Sequence, residues 1–162
     1  MRTILHAAAI TAALAVSATS VGAAEYMEKS QQMASRSYSP GVITDGGRTV
    51  FLAGQTGFRD EQGKEVIGFE AQARQAFKSI DAVLKKAGGS LANMVTMTVF
   101  IGDGRYGERF VNVRKEVFPD GNYPASALIT VSGFAALGMM LEIQGIAVIG
   151  DKCSKDAPCA PR

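Results

Sequence analysis

One carboxylate stands out for its setting. The run from Met139 to Ile149 is apolar except at its middle, where Glu142 and Gln144 interrupt it. Strand side chains alternate, so Leu141, Ile143, Ala147 and Ile149 share one side, and Met140, Glu142, Gln144, Ile146 and Val148 the other. A carboxylate enters such a face when something pairs with it or uses it, as acid–base chemistry does. A solvated strand edge is the alternative reading. The single histidine, His6, lies in the N-terminal leader described below. That leaves no Ser–His or Cys–His nucleophile pair, no imidazole acid or base, and no histidine metal ligand. Both cysteines, Cys153 and Cys159, fall in the polar tail. Two thiols do not complete a structural zinc site, and their spacing is not C-x-x-C, so a small disulfide loop pinning the tail is expected. The chemistry therefore rests on carboxylates, hydroxyls, amides, Arg, Lys, Tyr and bound water, without a metal or cofactor.

The chain opens on Met1-Arg2-Thr3, an apolar run from Ile4 to Val16, and a stretch of small residues to Ala24. A basic start, an apolar stretch and a small-residue zone together make a signal peptide over residues 1–24, cut after Ala24. The expected location is periplasmic or secreted, with no membrane segment once the leader is removed. Lys and Arg number 17 against 15 Asp and Glu, and only Arg2 of these lies in the leader. A near-neutral mature chain argues against nucleic acid as partner, which a basic face usually serves.

The elements that must position Glu142 follow from periodicity. Residues 25–36 are polar and read as a flexible approach; residues 37–150 make one domain, and 151–162 a tail. Ser37–Ile43 and Thr49–Gln55 read as strands, separated by the Asp45-Gly46-Gly47 turn. Phe69–Ala87 repeats apolar residues at helical spacing (Phe69, Ala73, Phe77, Ile80, Leu84) and ends at Gly88-Gly89. Met94–Ile101 alternates as a strand. A second helix, Tyr106–Val117, sets Tyr106, Phe110, Val113 and Val117 inward, and strands at Ser126–Ser132 and Met139–Ile149 close the domain. The order β-β-α-β-α-β-β is an α+β fold, two helices on one face of a mixed sheet.

The strands also carry unusually little charge on their second side. Val95, Met97, Val99 and Ile101, then Ala127, Ile129 and Val131, then Leu141, Ile143 and Ala147 form the apolar sides. Opposite lie Thr96, Thr98, Phe100, then Ser126, Leu128, Thr130, then Met140, Glu142 and Gln144. A solvated sheet face carries more charge. With no helix left to cover it, a second copy of the chain is expected there. Gly102-Asp103-Gly104-Arg105-Tyr106-Gly107 matches G-x-G-x-x-G, but Asp120 then falls in a turn rather than at the end of a parallel strand, so a strand-to-helix turn is the better reading.

Tyr123-Pro124-Ala125-Ser126-Ala127-Leu128-Ile129-Thr130-Val131, with Leu141-Glu142-Ile143-Gln144-Gly145-Ile146-Ala147-Val148, resembles the closing signature of the RidA/YjgF family, the reactive-intermediate (enamine/imine) deaminases once called L-PSP endoribonucleases. Ser37-Tyr38-Ser39-Pro40-Gly41, Phe51-Leu52-Ala53-Gly54-Gln55-Thr56-Gly57, Gln72–Ala87, Thr98–Ile101 and Phe110-Val111-Asn112 resemble its earlier motifs in order. The resemblance implies a chorismate-mutase-like fold, a homotrimer, and clefts between subunits that hydrolyse small enamines or imines. It implies Glu142 as the catalytic carboxylate, with Tyr38, Ala53, Asn112, Ser126 and Leu128 lining the substrate site. Two positions depart. Ser126 stands where the family has the Arg that anchors a substrate carboxylate, and Ala53 replaces a small hydroxylic residue. A serine hydroxyl does not replace a bidentate guanidinium, which points to a substrate lacking a carboxylate, or to a cation such as Arg105 or Arg109 arriving from a neighbour. The alternative is a non-catalytic trimeric module binding a small molecule or protein. Ribonuclease activity fits poorly with the missing histidine and near-neutral charge.

Overall fold

The computed structural model describes residues 24–151 and residue 153. Its elements are β1 (Glu25–Tyr26), α1 (Gln31–Ser35), β2 (Val42–Ile43), β3 (Arg48–Thr56), α2 (Phe69–Lys86), β4 (Met94–Ile101), α3 (Gly107–Val117), β5 (Ala125–Thr130) and β6 (Leu141–Ile149). Four strands form the main sheet in the order β3-β6-β4-β5, and β1 pairs with β2 apart from it. The β3–β6 and β6–β4 pairings are antiparallel, whereas β4 and β5 run parallel with α3 as their crossover.

Helix α2 forms because its apolar residues make one stripe. Phe69, Ala73, Ala76, Phe77, Ile80 and Leu84 are all buried, each large side chain removed from water contributing roughly 1.5–3 kcal/mol. The helix stops at Ala87, after which Gly88 takes φ +83°, a left-handed conformation that costs glycine nothing. Phe110 and Val113 of α3 meet that stripe, with Phe77 and Phe110 stacked at 5.9 Å. Beneath lie Met97, Val99 and Ile101 of β4 and Leu141, Ile143 and Ala147 of β6. Both long helices thus cover one face of the sheet, as their periodicity implies.

Three differences from the sequence reading affect the site. The strand expected at Ser37–Ile43 is reduced to β2 and a single parallel bridge from Ser39 to Ala125, because the chain turns at Ser37, whose φ is +54°. The polar approach at 25–36 carries β1 and α1, with Ser30 capping α1 through its hydroxyl. Most important, β5 is inverted relative to the grouping made from alternation. Its register pairs Met97 with Ser126 and Val99 with Leu128, and paired residues on parallel strands project to the same side. Ser126 and Leu128 therefore face the helices, while Ile129 stands 44% exposed on the open face. The apolar Ala127 and Ile129 imitate a core pattern, but α3 supplies a polar partner for Ser126 on the helical side.

The G-x-G-x-x-G stretch is a 3-10 turn, Gly104–Tyr106, capped by Asp103, as the turn reading requires. Among the described residues no helix is long and apolar enough to cross a membrane. The leader, save Ala24, and the tail beyond Cys153 lie outside the described residues. Cys153 is buried and disulfide-bonded, and its backbone N–H donates to Asp151 Oδ1 at 2.7 Å; Cys159 lies outside the described residues.

Candidate functional site

Glu142 projects from β6 onto the open face, between Phe100 of β4 and Thr56 of β3. The β3–β6 ladder breaks between Leu52 and Gln55, a bulge that leaves Ala53 and Gly54 out of register. Glu142 fills the space that a side chain at position 54 would take: a Cβ on Gly54 would lie 1.7 Å from Glu142 Oε1. Bulge and glycine together seat the carboxylate. On its other side a cavity of about 260 Å³ is bounded by Phe100, Glu142 and the β5–β6 connection, through Val131, Gly133, Phe134 and Ala135.

That connection is held by a residue the sequence reading treated only as part of a helix. Gln72 of α2 is buried, and its amide N–H groups donate to the carbonyls of Val66 and Gly138 at 3.0 and 2.9 Å. Its carbonyl oxygen accepts the Met140 N–H at 3.0 Å. One amide thus joins α2, the approach to it and the wall of the Glu142 cavity.

The other expected site residues gather elsewhere. The chain from Arg36 to Ser39 passes along α3 and reaches the start of β5, where the Ser39 N–H donates to Pro124 O. Tyr38 is carried there half-buried, and Asn112 stands exposed on α3. At the centre of this second group is Arg114, only 2% exposed. Its Nε donates to Ser37 Oγ at 3.2 Å, Nη2 to the Arg36 carbonyl at 2.8 Å, and Nη1 to Ser126 Oγ at 2.5 Å. Burial pulls its pKa down to about 10, with repulsion from Arg36 acting the same way and Tyr123 and Tyr38 opposing. The sequence reading passed over Arg114, although it lies one helical turn beyond Phe110 on the inward stripe.

Arg105 and Arg109, the cations considered for the pocket, each pair with a carboxylate of their own chain. Arg105 pairs with Asp103 at 2.5 Å. Arg109 makes a bidentate contact with Glu70 at 2.5 and 2.6 Å, which holds the Glu70 carboxyl down at about 2.

The structure therefore separates the expected residues into two groups. Ala53 and Glu142 belong to the open face of the sheet; Tyr38, Ser126 and Leu128 belong to the helical side at the β5 edge, with Asn112 exposed on α3 nearby. The open face mixes apolar side chains with Thr96, Thr98 and Gln144, and on it Phe51 stands 77% exposed opposite Ile146.

The family model described as Endoribonuclease L-PSP matches residues 29–149. A 2-iminobutanoate/2-iminopropanoate deaminase from Rattus norvegicus is 36% identical over 115 residues, covering 70% of this chain and 80% of the rat protein. Among solved structures, a Rid-family protein of unknown function, YyfB, from Yersinia pestis aligns over 76% of this chain and 96% of its own, with a TM-score of 0.68 and 22% identity, a likeness of fold. RidA from the Antarctic bacterium Psychrobacter aligns over 69% of this chain and 88% of its own, with a TM-score of 0.54 and 36% identity. With its fold and its ordered motifs matching over most of its length, the chain belongs to the Endoribonuclease L-PSP family of RidA/YjgF proteins.

Proposed function

We propose that this protein hydrolyses small imines or enamines at clefts shared between copies of the chain, outside the cytoplasm. The observation that carries the reading is the seat of Glu142: a carboxylate at a cavity wall, received by a bulge and a glycine. Water held by Glu142 adds to the imine carbon, and its proton passes by way of the carboxylate to nitrogen. Collapse of the carbinolamine then releases ammonia and leaves the carbonyl compound, so that one C=N bond is exchanged for one C=O bond at the expense of one water. The relatives named 2-iminobutanoate/2-iminopropanoate deaminase support this chemistry.

Oligomerisation belongs to the proposal. The exposed apolar residues of the open face favour a covering subunit, and in a homotrimer the Glu142 group of one copy would face the Tyr38–Ser126 group of the next. The leader-like first 24 residues support export. The test is ammonia release from imines generated in situ by an amino-acid oxidase. The expected result is acceleration by the wild type and none by Glu142→Ala; equal rates for the two would refute the reading.

A further inference from the structure

A carboxylate far from Glu142 is only half satisfied. Asp151 follows β6 and is 4% exposed. Its Oδ1 accepts two backbone N–H groups, from Asp45 at 3.2 Å and from Cys153 at 2.7 Å. Its Oδ2 is buried as well, and among the described residues nothing bonds to it. The ion pairs among the described residues engage other carboxylates and leave Asp151 out. A carboxylate oxygen withdrawn from water without a partner is costly, so the place suits a charged donor.

The register of β1 brings the start of the domain to that place. Glu25 pairs with Ile43 in antiparallel fashion, and by continuation Ala24 comes alongside Thr44, next to the Asp45 that bonds to Asp151. Paired strands lie about 4.8 Å apart and rise about 3.4 Å per residue, which sets the Glu25 nitrogen roughly 6 Å from the Asp45 N–H. Ala24 is 7% exposed, so this end of β1 is packed down. Tyr26 shares a side of β1 with Ala24 and feels the Asp151 charge, which adds to the rise in its pKa.

We propose that removal of residues 1–24 creates the missing partner: the α-ammonium of Glu25, which forms an ion pair with Asp151 Oδ2. Hydrolysis by a leader-removing protease breaks the C–N bond between Ala24 and Glu25 and consumes one water. Ala24 leaves with the new carboxyl group, and the Glu25 nitrogen becomes an amine that takes up a proton near neutral pH. As a peptide nitrogen it has one N–H, fixed in the peptide plane; as an ammonium it has three and a charge, and it rotates about its bond to Cα. The departing Ala24 also vacates buried space beside it. Asp151 then ties β1 to the turn before β3 and, through the Cys153 N–H, to the disulfide-bonded tail. The unprocessed chain lacks this tie, so the fold tightens only once the leader is gone. The inference rests on the export part of the proposed function and is independent of the imine chemistry.

The experiment takes the processed chain from the exported fraction of a bacterial host and reads its first residue by mass spectrometry. Part of it is acetylated at the α-amine while unfolded, then refolded beside an untreated control, in wild type and in Asp151→Asn. The chain is expected to begin at Glu25. Acetylation should lower the wild-type thermal midpoint by about 5–10 °C, the scale of removing one partner of a buried ion pair, and leave that of Asp151→Asn unmoved. An equal shift in both, or none in the wild type, overturns the proposal. Should Asp151→Asn fail to fold, labelling of the wild type decides: its α-amine should react with an acylating reagent at least about tenfold more slowly folded than in urea, and equal rates overturn the proposal. An exported chain that keeps residues 1–24 defeats the export reading and this inference together. A leader removed elsewhere than before Glu25, or removed there without an acetylation shift, defeats this inference alone. Imine turnover that ignores Glu142→Ala defeats only the hydrolase reading.

Discussion

Ser126 and Glu142 leave one sheet on opposite faces, Ser126 toward Arg114 of α3 and Glu142 toward the open side against Gly54. No side-chain rotation within a protomer brings them together, because β4 lies between their strands. On the proposed function a substrate touching both would lie between copies of the chain, and the activity would depend on how the open face is covered.

Phe51→Asp tests that cover. Phe51 is 77% exposed opposite Ile146, on the edge strand β3 of the open face. A carboxylate there has no partner in an apolar contact. The expected outcome by size exclusion with light scattering is a trimer for wild type and a monomer for the variant, with imine hydrolysis lost alongside.

Gly54→Ala tests the seat of the carboxylate. The added Cβ falls 1.7 Å from Glu142 Oε1, so Glu142 must move. Displacing a catalytic group by about 1 Å costs on the order of 100-fold in rate. Because Gly54 lies in a bulge, the thermal midpoint should change far less than kcat. A variant with wild-type kcat would show that the position of the carboxylate is immaterial.

Gln72→Leu tests the brace behind the cavity wall. The substitution leaves the carbonyls of Val66 and Gly138 and the N–H of Met140 without their partner. One such buried orphan costs about 1–3 kcal/mol, so Tm should fall by roughly 5–10 °C on a domain of this size. Amide exchange at Met140 should accelerate, as it should in Gln72→Glu, whose carboxylate sets an oxygen against both carbonyls.

Tyr26 provides a titration that reports on the fold. Its hydroxyl donates to the carbonyls of Ala92 and Met94 at 3.3 and 3.2 Å, and burial, then Asp151, pushes its pKa up to about 12. A raised folded value favours the fold fully below the ordinary tyrosine range near 10, and the contribution is lost as pH rises from there through about 12. Tyrosinate absorbance should show one late step near 12 that disappears in Tyr26→Phe. A wild type without that step would place the hydroxyl in water.

Much of the fold was legible in order and type, because period 3.6 and period 2 are properties of the chain itself. The stripe Phe69–Leu84 and the alternation of Met94–Ile101 mark a buried helix face and a buried strand before any partner is known. Glu142 was legible for the same reason, as a charge in an apolar alternation. Alternation fails on β5: period 2 separates Ser126 from Ala127 but carries no label for inside and outside. At an edge strand, small apolar residues suit either face.

The sequence alone determined the two long helices and the four main strands, the absence of imidazole from the folded domain and the presence of one carboxylate in the last strand, since composition and period need no partner. Tertiary structure decided which way β5 faces, that a glycine in a bulge receives Glu142, and that Arg114 rather than a strand residue stands behind Ser126. Those are relations between residues far apart in the chain, set by strand register and helix crossover, and no local pattern encodes the distance between a guanidinium and a hydroxyl on different elements.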